Sequence, residues 1–63
     1  MPRNTRLEAQ LTLINSAHQW EVYEVLTWAI GEDTTYNLTE NGMRGCFLSE
    51  ATEQELIDYV ASL

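Results

Sequence analysis

No lysine occurs in this chain of 63 residues, and cysteine, histidine and proline each occur once. Each scarcity excludes something. A single cysteine, Cys46, closes no disulfide within the chain, and a single histidine, His18, gathers no metal cluster, so the usual staples of a small domain are missing. With three arginines as the only fixed cations, a basic stripe for nucleic acid is also missing. No apolar run approaches the roughly 18 residues of a membrane span, and the opening "MPRNTRLEAQ" lacks the apolar stretch of a secretory leader. A cytoplasmic protein is the expectation. In that setting the glycosylation sequon Asn37-Leu38-Thr39 carries no weight.

What the chain has in plenty is acid. Ten carboxylates face three arginines, giving a formal net charge of −7. Arg3 and Arg6 lie at the start, so from Leu7 onward Arg44 is the one fixed positive charge. Such a body repels nucleic acid and anionic membrane and attracts a basic protein surface. Solubility alone is the plainer use of the same charge. A hydrophobic fraction of 44% excludes a disordered acidic tail and points to a packed core. One domain over residues 1–63 is expected, with a short arm at residues 1–4. A single core of this size gives about 3–5 kcal/mol of stability.

Periodicity and capping signals order the elements. Thr5-Arg6-Leu7-Glu8 fits a capping box, and Leu7, Leu11 and Ile14 follow at helical spacing with Leu13 to one side. Asn15-Ser16 interrupts that pattern, as a break or a kink. Ser16-Ala17-His18-Gln19 offers a second box, and in "QWEVYEVLTWAIGED" the residues Val22, Leu26, Ala29 and Ile30 share one helical face, predicting a helix over about 17–30 ended by Gly31. Asn41-Gly42 predicts a two-residue hairpin turn pairing Glu40 with Met43, Leu38 with Gly45 and Tyr36 with Phe47. A last helix starts at Ser49 or Thr52, where Thr52-Glu53-Gln54-Glu55 is a third box, with Leu56, Tyr59, Val60 and Leu63 as its buried stripe. The predicted fold is a small α+β domain in the order helix, helix, β-hairpin, helix (ααββα).

No catalytic, cofactor or metal motif emerges, so neither an enzyme nor a cofactor is expected. A Cys46/His18 pair would need the fold to bring the two together. A two-carboxylate site at Glu21 and Glu24 lacks the further ligands and the pocket it requires. The acids are more informative when sorted by what stability already explains. Glu8, Glu50, Glu53 and Glu55 lie near predicted helix starts, where the helix dipole favours anions, and Glu40 and Asp58 read as solvated. Glu32 and Asp33 follow Gly31 at a predicted helix end, where the same dipole disfavours them. Glu21 and Glu24 have no basic neighbour, and Trp28 falls between them in helical projection. Glu21, Glu24, Trp28, Glu32 and Asp33 therefore form the candidate protein-binding surface, with Trp20 as a second aromatic anchor. The competing reading places Trp28 in the core.

In size, charge and absence of catalytic motifs the chain resembles the small acidic inhibitors of phages and other mobile elements, among them anti-restriction and anti-CRISPR proteins. The resemblance is one of general character and transfers no residue. It implies an inhibitor or regulator that mimics nucleic-acid charge and binds a basic site on another protein, such as one that receives nucleic acid. The alternative is a homodimer that self-associates through the tryptophan face. Direct nucleic-acid binding by an Arg3/Arg6 arm ranks below both, because two arginines neutralise too few phosphates.

Overall fold

A computed structural model of the chain describes residues 1–25, 34–42 and 45–63. The domain is α+β, in the order α1 (Thr5–Ile14), β1 (Trp20–Val25), β2 (Thr35–Glu40), β3 (Leu48–Ala51) and α2 (Glu53–Ser62). The strands form an antiparallel sheet in the order β1-β2-β3. That order, αβββα, replaces the expected ααββα.

The helix expected over 17–30 is the main correction. Residues 16 and 17 form a turn, and Trp20–Val25 is a strand paired along its whole length with β2, Val22 opposite Leu38 and Trp20 opposite Glu40. Trp, Val, Tyr and Val make up four of the six residues in "WEVYEV". Their broad or β-branched side chains favour a pleated surface, and non-local pairing with β2 outweighs the weak helical period. The remainder of the expected helix, residues 26–30, lies outside the described residues.

The hairpin also changes register. Leu38 pairs with Leu48 and Tyr36 with Ala51, not with Gly45 and Phe47. Gly42 does adopt the positive φ its turn signal implies, at 80°. Asn41, however, is held beside Gln19, its N–H donating to the Gln19 carbonyl at 2.8 Å, so the chain prolongs the β1–β2 pairing before it returns. Between these pairs two residues of β3, Ser49 and Glu50, oppose one of β2, Asn37, a bulge at which Glu50 takes a left-handed φ of 52°.

Both outer helices behave largely as read. The start of α1 is capped by Asn4, whose side chain accepts from the Leu7 N–H at 3.0 Å, one residue before the expected Thr5 cap. Its end comes at Asn15, where the sequence pattern broke. In α2 the Thr52–Glu55 capping box is complete in both directions. The helices run parallel: Arg6 meets Glu53 at their starts, and the Asn15 side chain donates to the Val60 carbonyl at their ends.

Direct partners in an antiparallel ladder point to one side. Trp20, Val22, Tyr36 and Leu38 therefore share a face, and this face packs with Ala51 against Leu7 and Leu11 of α1 and Leu56 and Val60 of α2. Phe47, Leu48, Ile57 and Tyr59 close the margin. Glu21, Tyr23, Val25, Thr35, Asn37 and Thr39 occupy the other face and are half-buried.

Candidate functional site

The change from helix to strand redistributes the nominated residues. Successive side chains of a strand point to opposite faces, so Glu21 lies on the face away from the helices and Glu24 on the helix side. They do not form one patch. Glu21 accepts a hydrogen bond from the Tyr23 hydroxyl at 2.9 Å, and Glu24 accepts from the Asn4 amide at 3.2 Å. Hydrogen bonding to Glu21, with burial behind it, pushes the Tyr23 phenol above its ordinary value. Trp20 is only 4% exposed: its ring lies in the core and its indole N–H donates to the Asn15 carbonyl at 3.0 Å. As an anchor for a partner it is corrected to a core residue, because strand alternation turns it inward. Trp28, Glu32 and Asp33 lie outside the described residues.

Residues 2–4 are not a loose arm. The Asn4 N–H donates to the Val22 carbonyl at 2.8 Å and the Glu24 N–H to the Pro2 carbonyl at 2.7 Å, so this segment runs along the outer edge of β1. Glu8 seals the remaining place by accepting from the Val22 N–H at 3.0 Å. The same carboxylate takes two bonds from the Arg3 guanidinium, at 2.7 and 2.8 Å. Burial opposes ionisation of Glu8, but the Arg3 bonds and the Val22 N–H together outweigh it and hold the carboxyl below its ordinary value. Glu8 thus covers an edge that would otherwise offer free backbone groups for pairing. The sequence assigned it to a capping box; only folding brings Val22 beside it.

Arg6 faces Glu53 at 3.6 Å. Both described arginines therefore have carboxylate partners. Glu21, Glu24, Glu50, Glu55 and Asp58 have no cationic partner among the described residues.

A second feature lies where the two helices end. Ile14 and Leu63, expected in the buried stripes, are 41% and 56% exposed, and Leu13 is 89% exposed. Neither helix has a basic residue in its last turn. Beside this pole, His18 pairs with Glu40 and stacks 4.9 Å from Trp20, which leads through Phe47 at 5.6 Å to Tyr59. Ala17, His18, Gln19, Glu40 and Asn41 line a shallow notch of about 330 Å³. The signal for an exposed Leu13 was present in the sequence, off the Leu7/Leu11 stripe; that of Ile14 and Leu63 was not, since both continue the buried spacing.

Elsewhere the chemistry is sparse. The Cys46 thiol is exposed and directed at the Leu48 carbonyl, 2.9 Å away, while His18 is engaged by Glu40. No group of three histidine, cysteine or carboxylate side chains among the described residues can hold a metal. No described helix is long and apolar enough to cross a membrane. Set beside known proteins, the chain matches no family, no curated protein and no solved structure.

Proposed function

We propose that this protein is a small acidic interaction module, an inhibitor or regulator that occupies a basic site on a partner protein, such as a surface that otherwise receives nucleic acid. The observation that carries this reading is the pairing of charges. Arg3 and Arg6 are paired with Glu8 and Glu53, which leaves Glu21, Glu24, Glu50, Glu55 and Asp58 without a cationic partner among the described residues of a chain of formal charge −7. Unpaired surface charge adds little to stability but steers and selects an oppositely charged partner. Anti-restriction and anti-CRISPR proteins of phages share this general character. Self-association through a tryptophan face is less favoured, since Trp20 lies in the core and two copies of like charge repel.

Glu21, Glu32 and Asp33 are the carboxylates proposed to contact the partner, the last two on sequence grounds alone. In chains carrying Glu21→Lys or the double change Glu32→Lys with Asp33→Lys, affinity for a partner isolated from the source cells should fall by about tenfold or more. The dependence on salt should flatten while the melting curve is preserved. Unchanged affinity in both variants would contradict the assignment.

A further inference from the structure

Pro2, Arg3 and Asn4 lie against β1 as a short antiparallel strand, with Arg3 opposite Tyr23. The strand is incomplete. A hydrogen-bonded pair in such a ladder exchanges two bonds, yet Pro2 accepts from the Glu24 N–H and has no N–H of its own to return to the Glu24 carbonyl. Asn4 is fixed more firmly, since its side chain caps α1 and its amide reaches Glu24. Among the described residues, 1–3 are held by that single backbone bond, a weak contact of the Met1 sulfur with Asn37, and the Arg3–Glu8 ion pair at the surface. Exposed ion pairs are of modest strength, so these three residues can leave at small cost while Asn4 stays.

What they occupy is a place for a cation. Direct partners in an antiparallel ladder point to one side, so Arg3 stands with Tyr23 on the side of the sheet that carries Glu21. Glu8 bonds the guanidinium twice and raises it above its ordinary value, and the Glu21 charge adds to the same field. The edge thus asks three things of an occupant. It must be extended, it must carry arginine or lysine opposite Tyr23, and it gains a further bond if it has an N–H where Pro2 has none. A second copy of the chain offers only Pro2 there and brings another charge of −7.

We infer that residues 1–3 hold the place of a basic extended segment of the partner, which displaces them and adds as a strand to the edge of β1, its arginine or lysine beside Glu8 and Glu21. This rests on the acidic-module reading and gives the partner segment a direction, antiparallel to β1 and turning away at Asn4. Backbone bonds supply the affinity of an added strand, and the two carboxylates select which segments approach.

The probe is a short synthetic peptide of alternating arginine and threonine, compared with one of alternating arginine and proline that has equal charge but no N–H at the place of Pro2. Each is titrated into the isotope-labelled full chain at low salt. The threonine peptide should bind about tenfold tighter, with amide shifts concentrated at Val22, Tyr23 and Glu24 and the Arg3 amide moving to its position in an unstructured chain. Arg3→Ala loosens the segment and should tighten this binding by about fivefold. Arg6→Ala removes the same charge away from the edge, where Arg6 faces Glu53, and should change it by less than about twofold. Both arginines are exposed, so the fold should survive, and the amide spectrum verifies it; the comparison of the two peptides on the unaltered chain decides independently. Equal binding of the two peptides, equal gains from the two variants, or shifts away from β1 would overturn strand addition and leave the acidic module standing. Failure of both peptides to bind would overturn both. A concentration-dependent dimer of the Arg3→Ala chain would overturn the partner segment as occupant in favour of a second copy.

Discussion

Glu8 joins three parts of the chain at one carboxylate: helix α1, the edge of β1 and the Arg3 guanidinium. Its folded value lies below the ordinary 4.5. The stability it contributes is therefore complete above the unfolded value and is lost as pH falls through the folded one. Glu8→Gln should cost about 1 kcal/mol at neutral pH, since the amide keeps one bond to Val22 but loses the charge. Urea denaturation should show this difference shrinking as pH drops below about 4.5; a difference independent of pH would remove the charge from the explanation. Glu50 predicts the opposite sign. Its left-handed backbone is strained for a residue with a Cβ, and glycine relieves that strain. Glu50→Gly should raise stability by roughly 0.5–1 kcal/mol, measured in the same way, and a loss would show that its side chain supports the bulge.

At the scale of elements, the helices were legible and the sheet was not, for a physical reason. Caps act within four residues: Asn15 ends α1 and Thr52 with Glu55 starts α2, all from short-range bonds written in the sequence. Strand pairing is decided by distant partners. The Val22, Leu26, Ala29 and Ile30 spacing suits a helix, while the Trp20 and Val22 alternation suits a strand, and Leu38 opposite Val22 determines which form residues 20–25 take. The hairpin register was likewise hidden, because a bulge at Glu50 and the hold of Gln19 on Asn41 displace the pairing. The candidate surface inherits these errors: Glu21 and Glu24 are neighbours on a helix and strangers on a strand. The strand makes a prediction of its own. Amides of Val22 and Glu24 point away from β2 and are held by Glu8 and Pro2. In hydrogen exchange both should be protected, and removing residues 1–3 should expose Glu24 while sparing Tyr23; equal protection of Glu24 in the shortened chain would deny the edge pairing.

For the whole molecule, charge is the property that composition revealed most fully, since a total needs no fold. What the structure adds is its arrangement: two arginines paired internally, and a pole with two helix ends and no basic residue in either last turn. Repulsion between copies should keep the protein monomeric, so sedimentation across a dilution series should give one unchanging species of 7.2 kDa, and a concentration-dependent dimer would favour the self-association reading. The acidic-module account itself is tested most directly by immobilising the protein, passing the soluble extract of its source cells over it at low ionic strength, and eluting with a salt gradient. The account predicts a discrete basic partner that releases as salt rises and is displaced by polyanion. Capture that ignores salt, or of partners no more basic than the extract, would contradict it.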